Sequence, residues 1–261
     1  MSIVYVTAVY CIYNNNEYVD GVWERLHILA NFFPLYVFCD ERDSQRLSVI
    51  PNTTPIYHKF TELDTYKTVK DARHISASNN KGKDTKEYMI LMNAKTEFIQ
   101  RVKAIASSNT PPPSHYVWLD AGITKIFKDP ETSLSNLKQM LKHPMRANTI
   151  FIPGCWPKFT YYDIPTRDFV INPRVNRIFF LQRLTETVNW RFCGGFVVIP
   201  SHLVEPFARA VIQEIIRVRE TYGAAIWEVN IWTALEDTLP IQWEKGDHNE
   251  EIFARLPNYF A

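Results

Sequence analysis

This chain lacks the cysteine spacing of a zinc site. Its four cysteines, Cys11, Cys39, Cys155 and Cys193, are far apart and no two form a C-x-x-C pair,. Three of them, Cys11, Cys39 and Cys193, lie in or beside apolar runs, which favours reduced, buried thiols in a reducing compartment,. No apolar run approaches the roughly 18 residues that a membrane-spanning helix requires. No charged leader with an apolar stretch opens the chain; a strand begins near Ile3 instead,. Blocks of lysine and arginine are missing too, and 29 basic residues nearly balance 28 acidic ones. Nucleic acid is therefore not an expected partner. These absences lead us to expect a soluble, cytoplasmic protein, with peripheral membrane contact left open. At 261 residues, 46% hydrophobic and 14% aromatic, the chain has enough apolar material for one large domain or at most two small ones,.

Against that background one stretch stands out: Val117-Trp-Leu-Asp-Ala-Gly122. Three apolar residues run into a carboxylate, and the two small residues after it do nothing to shield it. Pro111, Pro112 and Pro113 block a helix just upstream, so the run predicts a buried strand with Asp120 at its end,. Gly122 is free to take unusual dihedrals there. Ligands of open α/β sheets bind beyond the carboxyl ends of strands. An isolated Asp-Ala-Gly is also what a simple turn cap looks like, so the rest of the chain has to decide.

Ile3 to Tyr10 predicts a first buried strand, rich in β-branched and aromatic residues,. After the polar turn at Tyr13 to Asn16, Asp20 is placed to cap a helix to Phe32, with Val22, Leu26 and Leu29 facing inward,. Pro34 stops it, and a second strand from Leu35 ends in Asp40. Strand, helix and strand make a βαβ unit and hence a parallel sheet. A weaker strand is expected over residues 55–60, then a polar, mobile loop over 64–86,. One long helix is expected from Lys86 to Ser107, with Lys95 inside its apolar face, where an ammonium must snorkel or meet an anion,.

Asp129 and Pro130 open a further helix, and residues 149–153 predict another strand,. Residues 157–187 are aromatic and arginine-rich without clear periodicity, as an acceptor pocket or a packed irregular segment would be. From Trp190 to Ile199 a strong strand contains Gly194 and Gly195. Such a pair marks a bulge or close approach to a ligand, or simply relieves crowding against Trp190. Pro206 starts a long amphipathic helix that Gly223 ends,. Glu228 and Asn230 then sit among large aromatics in a last helix, costly places for polar groups unless satisfied or used,. A short strand at Ile241 leads to Asp247 and His248. If the strands are neighbours, Asp120 and His248 supply an oxygen and a nitrogen to Mn²⁺ or Mg²⁺, leaving positions for phosphate and water.

Six segments taken together resemble one family: Asp20-Gly-Val-Trp-Glu-Arg-Leu26, Val37-Phe-Cys-Asp-Glu41, Met92-Asn-Ala-Lys95, Val117-Trp-Leu-Asp-Ala-Gly122, Arg191-Phe-Cys-Gly-Gly-Phe196 and Trp227-Glu-Val-Asn230. In order and spacing they are similar to the HtrL/YibB family, a group of GT-A-like proteins expected to be glycosyltransferases and associated with surface polysaccharide. The resemblance implies a single GT-A-like α/β domain over residues 1–261, a Rossmann-like, mixed but mostly parallel sheet flanked by helices. Residues 1–123 would then form the nucleotide-sugar-binding half and 124–261 the acceptor-binding half. It also implies a UDP- or GDP-sugar donor and a glycan acceptor. Asp120 matches one carboxylate of the family type's Asp-x-Asp metal motif, but Gly122 stands where the second is expected, which either removes the metal dependence or moves metal binding onto Asp120 and His248, with Asp247 beside them. By the same resemblance Thr7, Tyr10 and Asp40 hold base and ribose, Lys95 lies near the diphosphate, and Gly194 and Gly195 lie beside the sugar. Glu228 is the candidate general base. Two alternatives remain: a sugar-phosphate nucleotidyltransferase, which the lack of a glycine- and arginine-rich loop after the first strand disfavours, and a degenerate carbohydrate-binding protein of the same fold.

Overall fold

A computed structural model describes residues 2–12, 16–78, 80–108, 110–143, 145–155 and 173–242. In chain order the strands are β1 (Ile3–Val9), β2 (Leu35–Cys39), β3 (Thr53–Tyr57), β4 (His74–Ile75), β5 (His115–Leu119), β6 (Ile150–Phe151), β7 (Phe196–Pro200), β8 (Ala224–Ala225) and β9 (Ile241–Gln242). The helices are α1 (Asn16–Phe32), α2 (Ser44–Ser48), α3 (Asp64–Val69), α4 (Lys86–Asn93), α5 (Lys95–Ala106), α6 (Pro130–Met140), α7 (Pro173–Glu186), α8 (Val204–Tyr222) and α9 (Glu228–Leu235). Seven strands form one sheet in the order β3-β2-β1-β5-β7-β6-β9, and β4 and β8 form a separate parallel ladder. In the large sheet only β7 runs against its neighbours, pairing antiparallel with both β5 and β6. This is the mixed, mostly parallel α/β sheet that the sequence predicts. Strand β5 is the fourth of seven and is buried along its whole length.

Side-chain alternation divides the core between the two faces of the sheet. Val4, Val6, Phe38, Tyr116, Trp118, Val197 and Ile199 pack on one face with residues of α4, α5, α8 and α9. Leu35, Val37, Val117, Leu119, Phe196 and Val198 pack on the other with Trp23, Leu26 and Leu29 of α1 and Leu134 and Leu137 of α6. The last strands of residues 124–261 complete the sheet begun by residues 1–123 through the β5–β7 pairing. No helix among the described residues is long and apolar enough to cross a membrane. None of the four cysteines is in a disulfide, and Cys39, Cys155 and Cys193 are buried.

Several boundaries differ from expectation. Helix α1 starts at Asn16, so Asp20 lies inside it and reaches Arg46 at 2.8 Å instead of capping the first turn. The polar stretch 64–86 is not a single loop. It contains α3 and β4, and Asp84 gathers the Ser78 amide (2.9 Å), the Ser78 hydroxyl (2.7 Å) and the Asn80 amide (3.2 Å). Residues 173–186, for which no periodicity was legible, form α7, while the expected pocket residues from Phe159 to Arg167 lie outside the described residues.

The single helix expected over 86–107 is two, meeting at Ala94, whose ψ opens to −4°. Buried Asn93 marks the junction: its amide donates to the Met89 carbonyl and to the Ile226 carbonyl, both at 2.8 Å. That second bond ties the start of α5 to the segment entering α9. Gly194 and Gly195 form a turn that precedes β7; they are not inside a strand. Gly122 has an ordinary φ of −93°, so conformational freedom is not why it is there.

Gly223 does need its freedom. It ends α8 at φ 66°, and a β-carbon there would stand 2.6 Å from Arg73 Nε. Gly223→Ala is expected to cost about 1–3 kcal/mol. An unchanged urea midpoint would show that the left-handed cap is not needed.

Candidate active site

The antiparallel pairing of β5 with β7 sets the site. Leu119 lies opposite Phe196, so the residue after β5 meets the residues before β7. The Asp120 amide donates to the Gly195 carbonyl at 2.9 Å, and Gly194 is next in line. Helices α5 and α9 begin beside this edge, each with a charged residue in its first position, Lys95 and Glu228.

Lys95 is the centre of the arrangement. Its ammonium donates to Glu228 Oε1 at 2.9 Å and to the Gly194 carbonyl at 2.8 Å, and it lies 3.0 Å from Asp120 Oδ1. Only 1% of its side chain is exposed, against 4% for Glu228 and 28% for Asp120. The rings of Trp118 and Trp232 each lie 5.9 Å from the ammonium, within cation–π range,. Burial pulls the Lys95 ammonium toward neutrality, but the charges and hydrogen bonds of Asp120 and Glu228 outweigh it and leave its pKa raised,.

The two carboxylates differ in how they are held, and Asp120 Oδ2 accepts from the Lys95 ammonium at 3.4 Å. Asp120 Oδ1 accepts from the Trp118 indole at 2.6 Å as well as facing Lys95. Glu228 gives Oε1 to Lys95, while its Oε2 is buried with no partner. Gly194 has to be small: a β-carbon there would lie 2.2 Å from Glu228 Oε1 and 3.3 Å from Lys95 Nζ. Gly194 thus makes room for the ion cluster, a reason the strand reading did not supply.

A cavity of about 250 Å³ opens over this cluster. Asp120, Gly122, Gly194, Gly195, Glu228 and Tyr10 all line it, so six of the expected residues share one space. Tyr88, Trp190 and Trp227 give it an aromatic wall, with Trp227 5.1 Å from Tyr88 and 5.3 Å from Trp190 between ring centres. Lys95 lies behind the cavity and holds the carboxylates; it is not in the lining where a diphosphate would touch it. Thr7 is fully buried, packed inside the sheet away from the cavity. Asp40 is half-buried and caps the turn Glu41–Asp43 by accepting from the Arg42 amide at 3.3 Å. The Tyr10 hydroxyl donates to the His58 carbonyl at 3.0 Å, so only its ring is offered to the cavity.

His248 lies outside the described residues. Among the described residues, no group of three His, Cys, Asp or Glu side chains gathers to hold a metal ion. Asp120 is already bonded to an indole and faces an ammonium, so a second cation on the same carboxylate would be repelled by Lys95,. The described donor set therefore does not fit Mn²⁺ or Mg²⁺.

Three further cations border the cavity and escaped the sequence reading: Arg25, Lys83 and Lys125. Arg25 had a legible signal. It is three residues after Val22 and four before Leu29, on the helix face read as buried,. Lys83 and Lys125 lie in connections without periodicity and gave none.

No family model and no curated protein matches the chain. Among solved structures it is similar to 4-diphosphocytidyl-2C-methyl-D-erythritolsynthase from Anaerococcus prevotii, at 8% identity and a TM-score of 0.39, over 99% of this chain and 97% of that one. It is also similar to mannose-1-phosphate geranyltransferase from Thermus thermophilus, at 8% identity and a TM-score of 0.37, over 95% and 75% of the two chains. Likenesses at this level carry no argument about activity.

Removing the central cation tests the cluster directly. Lys95→Met leaves two carboxylates facing each other and is expected to cost roughly 3–5 kcal/mol, with Lys95→Met/Glu228→Gln recovering part of the loss. Equal urea stability of the wild type and Lys95→Met would mean that the ammonium does not hold the cluster. Because the folded pKa of Lys95 is raised, its contribution is complete below the ordinary value of 10.5 and is lost as pH rises through the higher folded value,. The gap between wild type and Lys95→Met should therefore narrow only above that pH.

Proposed function

We propose that this protein is a nucleotide-sugar-dependent glycosyltransferase that moves a sugar onto a hydroxyl of a glycan acceptor. The observation that carries this reading is the environment of Glu228: a buried carboxylate in the wall of an aromatic-lined cavity, one oxygen fixed by Lys95 and the other without a partner. A carboxylate oriented in this way suits the removal of a hydroxyl proton. Indole and phenol rings suit the apolar faces of a sugar, and the Tyr88, Trp190 and Trp227 wall supplies them beside Glu228.

The reaction is a direct displacement. The acceptor oxygen attacks the anomeric carbon of the donor sugar as its proton passes to Glu228 Oε2. The bond from that carbon to the phosphate oxygen breaks, and its electron pair leaves with the nucleoside diphosphate. Positively charged side chains around the cavity favour that developing charge. Lys95 does not touch the substrate in this scheme. It keeps Glu228 and Asp120 in place, and Trp118 fixes the other side of Asp120. GT-A-like membership, on the segments quoted from the sequence, is part of the same proposal. The strand order, with one antiparallel strand beside the central carboxylate strand, is compatible with it.

Incubation with a panel of nucleotide sugars and hydroxyl acceptors tests the reading. Release of nucleoside diphosphate with sugar transfer supports it. Pyrophosphate exchange would replace it with a nucleotidyltransferase, and sugar binding with no release would replace it with a binding protein. Glu228→Gln should bind donor as the wild type does while losing about 10²–10⁴-fold in kcat. A Glu228→Gln enzyme of normal kcat would remove the assigned base.

A further inference from the structure

The charge around the cavity is not accounted for by the Glu228 cluster. Besides Lys95, which lies between the two carboxylates, Arg25, Lys83 and Lys125 line the same space. They come from three separate elements: Arg25 from α1, Lys83 from the segment ordered by Asp84, and Lys125 from the turn Ile123–Ile126 that follows Asp120. Charges of one sign drawn together from distant segments repel unless an anion joins them.

Two of the three carry their own sign of a missing partner. Arg25 Nε is buried with no hydrogen-bond partner, an unmet donor on a charged group,. Its guanidinium lies over Gly21, where a β-carbon would come within 3.2 Å of Nη2, and Gly122 leaves the side toward the cavity open, with Nε 4.0 Å from its β-carbon position. Lys83 is part-buried with its ammonium 5.7 Å from the Tyr88 ring. Burial first, and then the charge of Lys125, push the Lys83 ammonium toward neutrality, with Asp120 and Glu228 opposing them. An anion in the cavity that Lys83 and Lys125 both line would relieve that repulsion.

We propose that Arg25, Lys83 and Lys125 form a seat for the pyrophosphate group of the donor, so that side-chain cations, without a divalent metal, carry its charge. The proposal rests on the transferase reading for the identity of the donor, but the seat itself is defined by the anion. A planar guanidinium takes two phosphate oxygens at once, and the two ammonium groups of the same lining add further charge,. Asp120, held by Lys95 and Trp118, then borders the seat without needing to bind a metal.

Titration calorimetry with inorganic pyrophosphate and with UDP, on protein stripped with EDTA, is the test. Both should bind without metal, and added Mn²⁺ should not tighten them. Arg25→Met, Lys83→Met and Lys125→Met should each weaken pyrophosphate by about tenfold or more, as the loss of a charge-assisted hydrogen bond does. Lys83→Arg should retain binding, and Lys138→Met, an exposed change on α6, should have no effect. Melting curves establish that each variant is folded. Pyrophosphate binding that requires Mn²⁺, or that ignores all three substitutions, overturns the seat. Metal-free pyrophosphate binding in a protein that releases no nucleoside diphosphate from any nucleotide sugar supports the seat and removes the transferase reading. Sugar transfer with Mn²⁺-dependent, substitution-insensitive donor binding does the reverse.

Discussion

A single ammonium group, that of Lys95, holds together the part of this molecule where chemistry is expected. Placing it in the interior is unfavourable unless anions come with it. Here they are Asp120 and Glu228, helped by the Gly194 carbonyl, and these three partners are 25, 133 and 99 residues away in the chain. The cost of a buried cation therefore becomes a constraint on topology. Strand β5 must end beside the turn before β7, and α5 and α9 must start at the same place. The requirement that residue 194 lack a side chain follows from the same packing.

Local pattern was enough for much of the frame. The β-branched run of β1, the inward stripe of α1 and the apolar run before Asp120 each bury against a sheet or a helix through their own periodicity. Gly223 was legible because a left-handed cap needs a residue without a β-carbon,. The segment from Asp64 to Lys86 was not, since its order comes from one carboxylate, Asp84, collecting nearby amides, and from pairing of His74–Ile75 with residues near 224. Polar composition looks the same whether such bonds go to water or to the chain. The break at Ala94 was hidden for a similar reason: the partner of Asn93 that accompanies it is the Ile226 carbonyl.

Within the site, residue types were easier to read than their tasks. Lys95 was visible as a charge on an apolar face and Glu228 as a carboxylate among aromatics, yet neither pattern states that each is the other's partner. The family resemblance gave Thr7 and Asp40 the same role as Tyr10, but a strand presents only its last residues to the sheet edge. Thr7 is two residues short of the end of β1 and is packed in the interior, and Asp40 turns to cap the backbone that follows it.

The sharing of one ammonium by two acids bears on how a base could work there. A carboxylate paired with a lone lysine resists protonation, because taking the proton strands a buried cation. Lys95 is not in that position. When Glu228 takes a proton, Asp120 Oδ1 at 3.0 Å and the Gly194 carbonyl at 2.8 Å still satisfy the ammonium. Asp120 in turn keeps its bond to the Trp118 indole, so it stays in place while its neighbour changes state. The two carboxylates are thus unequal by construction. One is tethered on both sides and part-exposed at the sheet edge. The other is buried, held by one oxygen, and has its second oxygen free to take a proton.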